Sequence, residues 1–512
     1  MPSTSENNKR IVLNTLLLYV RMFFTMGVSL YTSRIVLNVL GVEDFGIYNV
    51  VGGVVAMFSI VSGSLSAAIS RFITFELGKE NQERLKKIFS SAVIIQIALA
   101  LIICFLAETV GVWFLNHKMN IPPDRMIAAN WVLQCSTLTF MINLISIPYN
   151  AAIIAHERMK AFAYVSILEV SLKLAIVFTL YISVFDKLIT YSILLLIVAA
   201  IIRLVYGIYC RKHFAECTLH LAYDKAVLKE LTSFAGWNFI GSSSAILRDQ
   251  GVNIAINLFC GPAANAARGI SLQVNSAIQS FVTNFMTALN PQITKSYAAG
   301  NKEYMMNLIF QGARFSFFLL LLLSLPIIIE ANSILTIWLG VVPAHTLGFV
   351  RLVLIYTMIE SISGPLITAM LAHGKIKTYQ IIVGGLQMIN FPVSYALLYW
   401  GVVPEITMVV AIIISHCCLI ARLLLLRNMI GISAKSYFKK VYANIILVSI
   451  LSSILPVCIY TQLSAGLDRF IIVAGCSLIC TSLAIFYAGC SNNERAFIIQ
   501  KVCTLKDKLI KK

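Results

Sequence analysis

Charge is scarce in this chain. Asp, Glu, Lys and Arg make up 12% of the 512 residues, while 59% are hydrophobic. Alternation is lacking as well: no series of short apolar/polar segments marks the strands of a membrane β-barrel. No C-x-x-C spacing occurs among the 12 cysteines. Cys104, Cys135, Cys458, Cys476 and Cys480 fall inside apolar runs, where cysteine acts as a small apolar residue. No metal, cofactor or disulfide framework is expected from them. What the sequence has in abundance is long apolar runs, each of about the 20 residues that cross a bilayer core. These define an all-α polytopic membrane protein.

A cleaved leader is not expected. The run from Ile11 to Leu37 is too long for a signal-peptide core and ends in no small-residue cleavage site, so it reads as the first membrane helix. The pattern predicts fourteen helices, at 11–37, 47–72, 88–110, 127–154, 162–185, 189–210, 234–260, 269–293, 306–330, 346–372, 379–400, 405–426, 441–463 and 469–489. An even number puts both termini on one side. Of the 40 Lys and Arg residues, 29 fall on the side of the termini and 6 on the other. The positive-inside rule then places both termini in the cytoplasm. The net charge of +18 thus reflects topology, and no nucleic-acid partner is implied.

The longest inner loop carries YDKAVLKELTSF. Leu228, Leu231 and Phe234 share one helical face above Lys225 and Lys229, an amphipathic interfacial pattern with Asp224 as N-cap. Every outer loop is short, too short for a catalytic domain. His117 and His345 lie there without an acid–base partner in the sequence, which argues against an enzyme.

One segment occurs twice. ISIPYNAAIIAHERMK at 145–160 aligns without a gap to ISGPLITAMLAHGKIK at 362–377, pairing Pro148 with Pro365 and His156 with His373. Asn38 and Gly41 recur as Asn257 and Gly261, Phe-Ile-Thr at 72–74 as Gln-Ile-Thr at 292–294, Gly78 as Gly300, and VWFLN as TIWLG. Helices 1–6 and 7–12 are therefore expected to be two related bundles in parallel orientation, with an axis along the membrane normal. The domains follow: a bundle over 1–210, an amphipathic linker at 211–233, a second bundle over 234–427, a linker at 428–440, helices 13 and 14 within 441–490, and a basic tail at 491–512. Pro148 and Pro365 each remove a helix hydrogen bond and are the candidate hinges.

A charge at the bilayer centre costs roughly 2.5–3.5 kcal/mol on insertion scales and needs a reason. Arg21 in helix 1, Arg248 in helix 7 and Glu360 in helix 10 are central. Asp249 adjoins Arg248, but neighbouring helical side chains diverge, so simple cancellation is not expected. Glu169 and Lys173 stand at i and i+4 and should pair. Arg34 and Arg314 lie within snorkelling reach of an interface, and Glu108 and Glu330 are expected to meet water at outer ends. Two roles fit the midplane arginines. They bind an anion, for which the guanidinium fork is suited, or they pair with Glu360 or Asp249 and hold the structure together. The loop GPAANAARG at 261–269 reads as a tight turn or as an anion-facing mouth with Arg268.

Taken together, the repeat, the final helix pair and the cationic lumen resemble the polysaccharide transporters of the multidrug/oligosaccharidyl-lipid/polysaccharide exporter superfamily. The local landmarks are YTSRIVLNVLGVEDFGIYNVVGGVV at 31–55, WNFIGSS at 237–243 and NLFCGPAANAARGIS at 257–271. The resemblance implies a flippase for an undecaprenyl-diphosphate-linked oligosaccharide, such as an O-antigen, capsule or exopolysaccharide unit, in the bacterial inner membrane. It implies diphosphate contacts at Arg21, Arg248 and Arg268, with Arg34 on the same helix as Arg21 in the candidate set. The implied partners are this glycan lipid, membrane lipids, H+ or Na+ as candidate coupling ion, and the polymerase and glycosyltransferases of the pathway. Two rivals are a multidrug/cation exporter of the same superfamily and a membrane enzyme acting on lipid-linked sugars. A cation exporter should carry a lone acid in the first bundle, but helix 1 has Arg21 and Arg34 and no acid.

Overall fold

The computed structural model describes residues 4–56, 59–117, 121–218, 224–339, 342–496 and 499. Among them only helices and their connections occur, in keeping with the need to satisfy every backbone group inside lipid. The order is α1 (Thr4–Ala56), α2 (Ser59–Gly78), α3 (Gln82–Leu106), α4 (Val112–His117), α5 (Met126–Ala155), α6 (Met159–Ile182), α7 (Lys187–His213) and α8 (Lys225–Ala298). Then come α9 (Lys302–Ile329), α10 (Ala331–Leu339), α11 (Thr346–His373), α12 (Lys377–Met388), α13 (Asn390–Tyr399), α14 (Ile406–Ile430), α15 (Ala434–Tyr437), α16 (Ala443–Gln462) and α17 (Leu467–Ala484).

Eleven helical stretches among the described residues are long and apolar enough to cross a membrane, against fourteen expected. The three that fall short are the expected helices at 47–72, 234–260 and 269–293. Their described residues are all helical, and 234–279 carries Arg248, Asp249, Asn253, Arg268, Asn275 and Gln279. Polarity accounts for the two within α8, whereas the expected helix at 47–72 includes residues outside the described set.

The boundaries between expected helices also shift. The first and second are joined within α1 at Gly41, with φ 81° and ψ 169°. The seventh and eighth are joined within α8 at Gly261, with φ 80° and ψ 178°. Only glycine adopts this backbone region readily, so a single residue makes each break and no loop is needed. The expected turn at 261–269 shrinks accordingly. The linker helix likewise begins at Lys225 and runs straight into the next span. Asp224 caps it by accepting from the N–H of Ala226 at 2.9 Å and of Val227 at 3.4 Å, and no glycine or proline follows to stop it before Gly236.

The repeat is visible in the backbone. Besides Gly41 and Gly261, left-handed residues end corresponding helices: Glu80 and Gly300 before α3 and α9, Glu157 and Gly374 after α5 and α11. Pro148 and Pro365 are both buried and both lie inside continuous helices.

The chain forms two compact units, Met1–Ser243 with Thr287–Lys302, and Ser244–Met286 with Glu303–Lys512. The division runs through α8. In the first unit, α5 packs on α7, α3, α2 and α1, and α6 on α1 and α7. Two small cores show the packing: Leu18, Met159 and Ala288, and Val36, Leu40 and Val177. Helices approach closely at Gly78, where an added Cβ would stand 2.8 Å from the Ala298 Cβ and 2.9 Å from Lys295 backbone.

Ion pairs fasten both ends of this unit. Arg125 donates to Asp44 at 2.8 and 2.5 Å and to Asp186 at 2.6 Å, joining α1, α5 and the start of α7. At the other end the buried Glu157 carboxylate accepts from Gln292 at 2.5 Å and Lys295 at 2.6 Å, with Arg10 at 3.5 Å. His156 meets Glu216 at 2.5 Å.

In the second unit, α14 packs on α11, α12 and α13, and α16 on α17. Two expectations change here. Glu330 does not meet water: its side chain is fully buried and is held by Arg469 at 2.8 Å. Arg314 does not snorkel freely, because Glu494 at 2.7 Å and the Gly489 carbonyl at 2.9 Å hold it. In each case a charge that the sequence leaves alone is met by an opposite charge from a distant part of the chain.

Candidate functional site

A cavity of about 510 Å³ opens inside the second unit, between both limbs of α8 and helices α11 to α14. Helical spacing places its lining. Arg268, Leu272, Asn275 and Gln279 follow one another at intervals of three or four along α8. Val353 with Thr357 and Tyr356 with Glu360 stand four apart on α11, as do Asp249 and Asn253 on the limb before Gly261. Gln387 and Asn390 complete a lining rich in side-chain amides.

The charges in this cavity are not equivalent. Arg248 donates through Nε and Nη2 to the two carboxylate oxygens of Asp249, at 2.9 and 3.1 Å, and through Nη1 to the Tyr356 hydroxyl at 3.3 Å. Divergent neighbours thus pair after all, because the long arginine folds back. Glu360 does not meet Arg248. It sits 3.3 Å from Nη2 of Arg422 and accepts from the Ser415 hydroxyl.

Arg268 is different. Its side chain is 5% exposed, and its Nη1 donates to the Asn253 side chain and to the Asp249 carbonyl. Its Nε is buried without a hydrogen-bond partner. No carboxylate pairs with it among the described residues. A buried guanidinium held only by neutral oxygens has the capacity to take an anion.

Arg21 lies in the first unit, half-buried, with its guanidinium 4.6 Å from the centre of the Phe162 ring, a cation–π contact. Its Nε is also without a hydrogen-bond partner. The Glu169 carboxylate is engaged by Lys173 at 2.6 Å, as the i, i+4 spacing predicts. Arg34 is on α1, but its side chain lies outside the described residues.

Arg422 escaped the sequence reading, which counted it only among the 29 Lys and Arg residues on the side of the termini, although it falls within the expected helix at 405–426. It is 1% exposed and belongs to the buried face of α14 made by Ser415, Cys418, Leu419 and Arg422. That helical periodicity was the available signal. The amides were missed for another reason: a single Asn or Gln in a membrane helix carries little weight until several are seen to converge.

The helices, the repeated breaks and a charged, amide-lined cavity within one unit define a multi-pass membrane protein of transporter fold. Residues 11–297 match the family described as polysaccharide biosynthesis protein, and the chain belongs to that family. The uncharacterized membrane protein EpsK of Bacillus subtilis (strain 168) is 22% identical over 317 residues. The match covers 61% of this chain and 62% of EpsK, so it spans less than two thirds of that relative.

Among solved structures, a MATE transporter in its straight conformation aligns with a TM-score of 0.70 and 14% identity, covering 85% of this chain and 97% of that one. The Vibrio cholerae MATE transporter VcmN, in a mutant form, aligns at 0.68 with 17% identity, covering 83% and 98%. A MOP-superfamily transporter from Pyrococcus furiosus, characterised by a binding pocket of reverse polarity, aligns at 0.67 with 14% identity, covering 84% and 96%. At these identities the likeness establishes the fold.

Proposed function

We propose that the protein is a flippase that moves a polyprenyl-diphosphate-linked oligosaccharide across the bacterial inner membrane by alternating access, with both termini in the cytoplasm. The observation that carries this reading is Arg268. It is a buried cation without a carboxylate of its own, facing a cavity whose other charges are paired. A diphosphate supplies the missing anion, and the amides of Asn275, Gln279, Gln387 and Asn390 suit the hydroxyls of a sugar headgroup, since each offers both donors and an acceptor. Membership of a polysaccharide biosynthesis family supports a glycan cargo. Arg21 and Arg248 are secondary contacts, the first with a free Nε and the second exchanging Asp249 for substrate. Pro148 and Pro365 serve as hinges in the repeated helices.

The rival with structural support is export of cationic drugs, since MATE transporters share the fold. It requires an acid free to meet a cation. Asp249 and Glu360 are both already paired with arginine, which favours the anionic cargo.

The test is surface glycan in cells carrying Arg268→Ala or Arg268→Lys. Alanine should abolish surface glycan at normal membrane levels, and lysine should restore part of it, keeping charge but losing the fork. Normal glycan with Arg268→Ala would overturn the reading. For sidedness, a periplasm-only reporter should be silent near Lys225 and active near Pro122.

A further inference from the structure

The first unit has a cavity of a different kind, an open furrow of about 520 Å³ between α2, α3 and the first turns of α8. Its volume lies within the roughly 300–1,000 Å³ of small-ligand sites. Small residues line part of it, Ser64, Ala98, Ala235 and Gly236, with larger ones beside them, Ile95 and Phe239. Small residues on a membrane helix ordinarily seat another helix. Here Ala98 and Gly236 are exposed, and no helix among the described residues fills the space.

We propose that the furrow holds one acyl chain of an anionic glycerophospholipid, with the lipid phosphate at Lys87 and Lys229. This inference does not depend on the flippase reading. Three observations select that occupant.

The first is length. From Leu228 to Phe239 the furrow follows α8 for about 16 Å at roughly 1.5 Å per residue. That is about half of a hydrocarbon core of roughly 30 Å, so one leaflet deep. A phospholipid chain matches this depth, whereas the polyprenyl chain of the proposed cargo is far longer.

The second is charge at one end only. Lys87 precedes Ile94 and Ile95 by two helical turns on the same face of α3, and Lys229 precedes Thr232 and Gly236 on α8. Lys225 and Lys229 are exposed, and the Lys87 side chain is 55% exposed. Of the acids nearby, Glu230 and the buried Glu76 are both engaged by Arg84, at 2.8 and 3.3 Å. Asp224 caps α8 and lies 3.7 Å from Lys87. The rim therefore keeps a positive excess, which attracts anionic headgroups.

The third is what that excess rejects. A second copy of the chain seated on this face would bring the same lysines against one another, a repulsive arrangement at a symmetric interface.

The probe is phosphatidylglycerol, offered to the purified full-length protein in an equal mixture with phosphatidylethanolamine and followed by native mass spectrometry. The expected result is one retained phosphatidylglycerol in preference to phosphatidylethanolamine. Gly236→Leu should remove it by filling the furrow, because a Cβ there meets nothing within 4 Å and the helix loses a glycine. Exchanging both exposed lysines, Lys87→Glu with Lys229→Glu, should weaken retention by roughly thirty-fold or more and erase the headgroup preference. Equal retention of the two lipids would overturn the proposal. So would persistence of the bound lipid in Gly236→Leu, replacement by a polyprenyl diphosphate when both are offered, or a dimer that dissociates on filling the furrow. A melting curve on each variant verifies that the fold is intact.

Discussion

Nε and Nη2 of Arg248 donate to the two carboxylate oxygens of Asp249, its own neighbour in sequence, at 2.9 and 3.1 Å. The pair is lopsided: the Arg248 side chain is 14% exposed and that of Asp249 is 54% exposed. Removing the arginine therefore leaves a carboxylate that water already reaches, and the loss of stability from that pair should be below about 1 kcal/mol. Arg248→Ala and Arg268→Ala should both melt close to the parent in detergent while differing in transport, with Arg268→Ala the more severe. A collapse of folding in Arg248→Ala would show that the arginine serves structure before substrate.

Glu360 and Arg422 are lopsided in the opposite sense. The Arg422 side chain is 1% exposed and that of Glu360 27%. Glu360→Ala strands a buried guanidinium and should destabilise by about 3–5 kcal/mol. Arg422→Ala leaves Glu360 with Ser415 and partial access to water, and should cost less. Replacing both, Glu360→Gln with Arg422→Met, should recover much of the loss. Thermal unfolding of the four proteins checks the order, and equal effects of the two single changes would contradict it.

Much of this fold was legible because lipid imposes strong rules. Apolar length marked most helices, and the repeated Gly41/Gly261 and Pro148/Pro365 positions marked the duplication in the sequence alone. Partners were less legible. The pairing of Glu330 with Arg469, or of Arg314 with Glu494, joins residues 139 and 180 positions apart, and no local pattern encodes such contacts. Arg268 was readable as a candidate, yet its distinction from Arg248 depends on which of the two meets a carboxylate. That depends on how Arg248 folds back and on Arg422 reaching Glu360 from α14.

Gly41 and Gly261 allow a test of the duplicated break. An added Cβ at either meets nothing within 4 Å, so any cost of Gly→Ala comes from the backbone. At φ near 80° with ψ near 170–180° that cost should be about 1–3 kcal/mol. Gly27→Ala is the control: it also has free space but lies within α1, where alanine should be neutral or stabilising by up to about 1 kcal/mol. Melting temperatures should therefore fall for the two break positions and hold or rise for Gly27→Ala.

The Arg125 cluster should make stability depend on pH in the acid range. Burial pushes the Asp186 carboxyl up, but the hydrogen bonds it accepts from Arg125 and from the backbone N–H of Ile189 outweigh that and hold it below its ordinary value. A depressed carboxylate contributes stability that is fully present above its unfolded pKa of about 3.9. The contribution is lost as pH falls through the lower folded value. Arg125→Gln removes the charge that sustains the shift. The variant should thus lie furthest below the parent in melting temperature at neutral pH and converge toward it below about pH 4. A gap that stays constant from neutral pH into that range would show that Arg125 acts through packing alone.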